Sequence, residues 1–159
     1  RRRRAIRPVD PRAAGDTTRP RPAGSPRMTT FFDTSATLAL QLDVPARRVA
    51  QDALDERTCV SALALTESLG AVPRVTDEPM LRSDLEDALR LQWDRFAVVP
   101  VDQACLDRAA HLLASQPLRV SDAIHLAAAD RLPRPVRFVT FDPGQIPVAL
   151  SLGFEVVSI

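Results

Sequence analysis

Thr29-Thr30-Phe31-Phe32-Asp33-Thr34-Ser35-Ala36-Thr37-Leu38-Ala39-Leu40 decides the fold. Residues 29–32 have the β-branched and aromatic character of a short strand, and they run directly into Asp33-Thr34-Ser35, side chains of the kind that cap helix starts. A helix over 36–42 follows, so strand and helix are joined without a linker. Outward from this unit the alternation repeats. Pro45 suits the first turn of a helix over 46–56, residues 58–60 read as a second strand, and a helix over 61–72 is expected to stop at Pro73. Residues 77–95 form a long amphipathic segment with Pro79 in its first turn. Residues 97–99 are a third strand, 102–115 and 121–132 two further helices, 136–141 a fourth strand, and 155–157 a fifth. Asp142-Pro143 is expected to open a short helix between the last two strands. Short strands separated by helices on this scale predict an α/β fold: three layers, α/β/α, around a mostly parallel central sheet of about five strands.

Composition narrows the chemistry. The 159 residues suffice for one domain with its own core, and no apolar run approaches the roughly 20 residues of a membrane span. All 21 basic residues counted as Lys or Arg are arginine, and tyrosine is absent. A phosphate cradle built on a P-loop lysine and Schiff-base catalysis are therefore excluded. Cys59 and Cys105 have neither metal-ligand spacing nor the look of a disulfide framework, so they read as core thiols of a protein in a reducing cytoplasm. The formal charge of +1 conceals an asymmetry: residues 1–27 hold nine arginines against Asp10 and Asp16, a net +7, whereas 28–159 carry −6. The first 27 residues also hold five of the 14 prolines. They are expected to be a disordered Arg/Pro-rich arm or non-native leader, with the folded domain over 28–159, opening at Met28.

In an open parallel sheet, ligands sit beyond the carboxyl ends of the strands where the strand order reverses. Asp33 ends the first strand and Asp142 the fourth; Asp122 stands near the start of the 121–132 helix, and Glu67 lies inside the 61–72 helix. Taken singly, each aspartate reads as a helix cap and Glu67 as a solvated residue on an outer face. Taken together, four carboxylates in a chain without lysine suit a hard cation with oxygen ligands, Mg²⁺ or Mn²⁺.

Four segments carry a family resemblance: Phe31-Phe32-Asp33-Thr34-Ser35-Ala36, the mid-helix Glu67, Ser121-Asp122-Ala123-Ile124-His125-Leu126-Ala127-Ala128-Ala129, and Phe138-Val139-Thr140-Phe141-Asp142. They resemble the ordered acidic motifs of PIN-domain nucleases, and among these the VapC-type toxins of toxin–antitoxin pairs. The resemblance covers residues 28–159 and implies a metal-dependent ribonuclease, a homodimer, and inhibition by a small antitoxin. Carried over by position, Asp33, Glu67, Asp122 and Asp142 are the catalytic and metal-binding quartet, with Thr34, Ser35 and Thr140 supporting them by hydrogen bonds. The implied reaction is hydrolysis of an RNA phosphodiester to a 3′-hydroxyl and a 5′-phosphate, with one metal, or two about 3.5–4 Å apart, activating water.

A domain of net charge −6 cannot hold RNA by bulk basicity, so phosphate contacts fall to local arginines such as Arg119, and selectivity to a structured RNA with an exposed loop, tRNA or rRNA. An antitoxin arginine set among the carboxylates would inhibit, with the surfaces of the 61–72 and 77–95 helices as its seat. His125 reads as a structural histidine that is partly buried, and His111 as an i, i+4 surface partner of Asp107. Trp93 and Phe96 suit a core or a dimer interface. Asp33→Asn or Asp122→Asn is expected to abolish cleavage without unfolding the domain and to stabilise the metal-free form by relieving repulsion. A haloacid-dehalogenase phosphatase would need a second aspartate where Ser35 stands, and a lysine. A housekeeping PIN nuclease or a non-catalytic PIN-fold binding module remains the alternative.

Overall fold

The computed structural model describes residues 27–159. The basic arm expected over 1–27 lies, apart from Arg27, outside the described residues. The elements follow in the order β1 (Thr29–Phe32), α1 (Thr34–Ala39), α2 (Ala46–Ala53), β2 (Cys59–Ser61), α3 (Leu63–Val75), α4 (Pro79–Trp93), β3 (Ala97–Val99), α5 (Gln103–Ser115), α6 (Val120–Asp130), β4 (Val136–Val139), α7 (Ile146–Ser151) and β5 (Glu155–Val157). All pairings in the five-stranded sheet are parallel, in the order β3-β2-β1-β4-β5. The chain therefore moves outward from β1 to β3 and returns to pair β4 against the other side of β1. That reversal opens a crevice beyond Phe32 and Val139, which are partners in register.

Alternation along β1 explains the three layers. Successive side chains of a strand point to opposite faces, so Phe31 and Phe32, both fully buried, serve two cores. Phe31 packs with Phe138, Val136, Cys105, Leu112 and the small residues Ala123, Ala127 and Ala128 of α6. Phe32 packs with Val60, Val139, Ala36, Ala50 and Ala64, and with Phe96 and Trp93 at its margin. The alanine-rich body of α6 suits close packing, because a helix of small residues can approach its neighbours more closely than one of leucines. Cys59 and Cys105 are buried and unpaired, as core thiols.

Caps fix the helix starts. Asp102 accepts from Cys105 N at 3.0 Å, and Arg131 grips the same carboxylate through Nη1–Oδ1 at 2.6 Å and Nη2–Oδ2 at 2.9 Å. Glu78 caps α4 by accepting from Met80 N and Leu81 N, with Pro79 in the first turn.

Several boundaries depart from the sequence reading. Pro73 does not stop α3, which continues to Val75. So near the carboxyl end, proline removes a single backbone hydrogen bond, and the following turn can still close. The fourth strand ends at Val139 rather than residue 141, and the last short helix begins at Ile146, not at Asp142-Pro143. Residues 140–145 are thus free to shape the crevice. His111 Nδ1 contacts the backbone carbonyl of Asp107 at 2.8 Å, while the Asp107 carboxylate accepts from Gln103. Among the described residues, no helix is long and apolar enough to cross a membrane.

Gly153 joins α7 to β5 with φ +76, the left-handed conformation that commonly terminates helices. A Cβ there would meet only Arg134 Nη1, at 4.0 Å, so the penalty for a side chain is conformational. Gly153→Ala is expected to lower stability by about 1–2 kcal/mol in urea denaturation; an unchanged midpoint would contradict this.

Candidate active site

Asp33 leaves β1 at the crevice and caps α1. Its Oδ1 accepts from Ser35 Oγ (2.7 Å) and Ala36 N (2.9 Å), and its Oδ2 accepts from Thr140 Oγ1 (2.7 Å) and Gln145 Nε2 (3.0 Å). Only 1% of its surface is exposed. Burial pushes its carboxyl up from the ordinary range, against the hydrogen bonds that favour the anion.

Asp122 arrives from the opposite wall of the crevice. It is the third residue of α6 and is not its cap, which is Arg119. The cap reading therefore holds for Asp33 alone of the three site aspartates. At 7% exposure, Asp122 is also raised, first by burial and then by the negative charge of Asp142, with Arg119 acting in the other direction. The Gln145 Nε2 that bonds Asp33 also donates to Asp122 Oδ1 at 3.1 Å. One amide group thus ties the two buried carboxylates together.

Asp142 lines the rim. Its Oδ1 accepts from Gly144 N at 2.8 Å, and its Oδ2 faces Arg119 Nη2 at 3.8 Å, the Arg119 side chain being 79% exposed. Thr140 joins the two aspartates of the parallel strands, since its hydroxyl donates to Asp33 while accepting from Asp142 N at 3.1 Å. Ser35 has a similar double role, accepting from Phe141 N at 2.8 Å.

Glu67 is not the solvated residue its sequence position suggested. Its Oε2 accepts from Thr34 Oγ1 and lies 2.6 Å from His125 Nε2. His125 is buried, with Nδ1 2.9 Å from Ser61 Oγ. An ionised carboxylate only accepts, so Nε2 carries the hydrogen; in a neutral ring, Nδ1 then accepts from the Ser61 hydroxyl. Burial raises the Glu67 carboxyl, but hydrogen bonds from His125 and Thr34 outweigh it and pull the pKa down to about 2. Because the folded value lies below the ordinary 4.5, this interaction stabilises the fold fully above about pH 4.5 and is lost as pH falls toward 2. Glu67→Gln is expected to flatten the acid limb of a stability-versus-pH curve in that window; an unchanged slope would contradict this.

The cleft, of about 240 Å³, brings together Asp33, Glu67, Asp122 and Asp142 with Thr34, Ser35, Arg119, His125 and Gln145. It does not gather the quartet around one point: among the described residues, no three carboxylate, imidazole or thiol side chains converge closely enough to hold a metal ion as they stand. Glu67 is engaged with Thr34 and His125, and Asp142 with its own loop. Asp33 and Asp122 share one donor, the Gln145 amide nitrogen, at 3.0 and 3.1 Å. Both are buried and bridged by a neutral amide, and both have raised pKa values, a combination that fits a divalent cation with oxygen ligands. Gln145 and Ser61 carry no signal in the sequence that points to the site, and the sequence does not pair His125 with Glu67. His125 three residues after Asp122 was the one available signal, since that spacing places both on one helix face.

A model of the PIN domain family matches residues 30–149, and the chain belongs to that family. The fold is also similar to those of several solved structures. VapC20 of Mycobacterium tuberculosis, described as a sarcin-ricin loop cleaving toxin, is 18% identical with TM-score 0.61, over 76% of this chain and 95% of that one. FitAcB of Neisseria gonorrhoeae is 17% identical with TM-score 0.64, over 81% and 96%. VapBC-5 of M. tuberculosis, of the VapBC family of toxin–antitoxin systems, is 22% identical with TM-score 0.58, over 84% and 100%. No curated protein matches the sequence.

Proposed function

We propose that the chain is a Mg²⁺- or Mn²⁺-dependent endoribonuclease and the toxin of a toxin–antitoxin pair. The observation that carries this reading is the pair Asp33 and Asp122, buried at the switch point of a PIN sheet and within 3.0 and 3.1 Å of a single amide nitrogen. Membership of the PIN family and likeness in fold to a sarcin-ricin loop cleaving toxin and to a member of the VapBC family of toxin–antitoxin systems support the biological role.

On this reading Asp33 and Asp122 hold the cation, with Asp142 and Glu67 serving at its margin. The cation, when bound, supplies an activated water at neutral pH and offsets negative charge on the phosphoryl oxygens. Thr140 and Ser35 fix the Asp33 carboxylate so that it need not reorganise. Thr34 and His125 keep Glu67 ionised and aimed along the crevice wall. Arg119, exposed at the rim, contacts a substrate phosphate, and its distance from Asp142 leaves it available to do so. The leaving group is the 3′ oxygen, giving 3′-hydroxyl and 5′-phosphate ends.

Two surfaces suit partners. Val75, Met80 and Leu81 expose an apolar strip where α3 meets α4, which we assign to a homodimer contact. A groove of about 680 Å³, lined by Leu40, Leu54, Leu91 and Phe96 together with Asp55, Glu56 and Arg95, suits an amphipathic segment of a small antitoxin. It shares α4 with the seat expected from sequence but lies against α1 and α2 rather than α3.

Inducing the chain in a bacterial cytoplasm and sequencing 5′-phosphate ends soon afterwards tests the substrate. Growth arrest with cuts concentrated in loops of tRNA or rRNA is expected. Harmless expression, or cuts scattered over all transcripts, would contradict the toxin reading.

A further inference from the structure

Gln145 is the side chain at this site with its polar atoms only half used. It is 2% exposed, and its backbone is pinned: the N–H donates to Asp142 O at 3.1 Å and the carbonyl accepts from Ala149 N at 2.9 Å. Its Nε2 donates to Asp33 Oδ2 and Asp122 Oδ1. Its Oε1 is buried and accepts from nothing, one of two such side-chain atoms among the described residues, the other being Ser68 Oγ. Buried amide oxygens are normally hydrogen-bonded, and one left without a donor destabilises the arrangement that strands it.

We propose that Gln145 is a metal ligand in waiting: its NH₂ group holds Asp33 and Asp122 together in the metal-free protein, and on metal entry the amide turns over so that Oε1 becomes the third inner-sphere ligand. This rests on the reading of the site as a metal centre. The two ends of a primary amide are nearly the same shape, so a half-turn about the last side-chain bond exchanges oxygen for nitrogen without moving the backbone. Without a cation, the turned oxygen would face two carboxylate oxygens and be repelled. With a divalent cation among the three, the same contact becomes attractive.

The distances suit this exchange. Mg²⁺ holds oxygens octahedrally at about 2.1 Å, which sets neighbouring ligands about 3.0 Å apart. An oxygen in the seat of Nε2 would stand 3.0 Å from Asp33 Oδ2 and 3.1 Å from Asp122 Oδ1, each the separation of two neighbouring ligands. The turn gives the stranded oxygen a partner and moves the NH₂ group into the buried seat that Oε1 leaves, so the cation–oxygen attraction must offset the two acceptors the NH₂ gives up. The turned oxygen supplies the third ligand that no other carboxylate, imidazole or thiol side chain among the described residues is placed to give.

The side-chain NH₂ of Gln145 in the full chain, assigned by its absence from the spectrum of Gln145→Glu, reports the turn directly by NMR during a Mg²⁺ titration. Loss of its carboxylate partners is expected to move its hydrogen-bonded proton upfield and to speed its exchange with water. In parallel, EPR with ¹⁷O-water counts the exchangeable waters on Mn²⁺ bound to the native chain and to Gln145→Met at saturating Mn²⁺. The variant is expected to carry one more water, taking the place of the lost oxygen. Should Gln145→Met fail to fold, the NMR titration of the native chain still decides. If Mg²⁺ shifts the backbone signals of Asp33 and Asp122 but leaves the Gln145 amide where it was, or the water count is the same, the ligand role is overturned and the metal centre stands. If the native chain binds neither cation, both fall.

Discussion

Asp122→Asn is expected to lower RNA cleavage by a thousandfold or more while leaving the domain folded. The lost term is the ligand charge that holds a cation against the phosphoryl group; a metal's electrostatic contribution is worth several kcal/mol, and each 1.36 kcal/mol is about tenfold in rate. The fold should tolerate the change because Asn retains an oxygen to accept from Gln145 Nε2. Its melting temperature without metal should rise by a few degrees. Burial and the charge of Asp142 hold the Asp122 carboxyl above its ordinary range, so the ionised form works against the fold at neutral pH and its neutralisation relieves that. Circular dichroism melts beside a cleavage assay would check both parts; a variant that melts early, or one that still cleaves, contradicts the assignment.

Asp33→Asn is expected to differ in stability: burial raises the Asp33 carboxyl as well, so neutralising it relieves a cost, but the change also removes acceptors that the Asp122 substitution leaves in place. Four donors converge on Asp33: Ser35 Oγ and Ala36 N on one oxygen, Thr140 Oγ1 and Gln145 Nε2 on the other. An amide offers one oxygen, leaving a nitrogen to face two donors. Activity should be lost as with Asp122→Asn, but with a destabilisation of about 1–3 kcal/mol from unsatisfied buried groups.

Phe138→Ala is expected to cost about 3–5 kcal/mol, a large share of the roughly 5–15 kcal/mol by which domains are stable. Phe138 is fully buried and stacks between Phe31 at 5.5 Å and Phe154 at 5.7 Å, with the Arg134 guanidinium 4.5 Å above Phe154. The three rings link β1, β4 and the entry to β5. Truncating the middle one leaves a cavity that strands hydrogen-bonded on both sides cannot collapse to fill. Urea denaturation would measure the loss, and a cost below about 1 kcal/mol would show that the sheet repacks.

What the sequence made legible is what has a periodic or capping signature. The strand-to-helix junction at Asp33 was readable because β-type residues meet cap-forming side chains within a few positions. The parallel sheet followed from alternation of element types. Pro73 misled because proline's effect depends on whether a further turn of helix follows, which local sequence does not specify. Glu67 could be placed only by its order in the chain, since its partners Thr34 and His125 lie 33 and 58 positions away. Gln145 had no signature at all. It sits in an irregular loop and reaches across 112 and 23 positions to Asp33 and Asp122, contacts created by the return of β4 to the side of β1.

Cleavage of a defined, loop-containing RNA by the purified chain, with end groups mapped in Mg²⁺ and in EDTA, tests the proposed metal-dependent ribonuclease most directly. Cuts bearing 5′-phosphate and 3′-hydroxyl ends are expected in Mg²⁺ and none in EDTA. Cleavage that persists in EDTA, or ends carrying a 5′-hydroxyl and a cyclic phosphate, would contradict it.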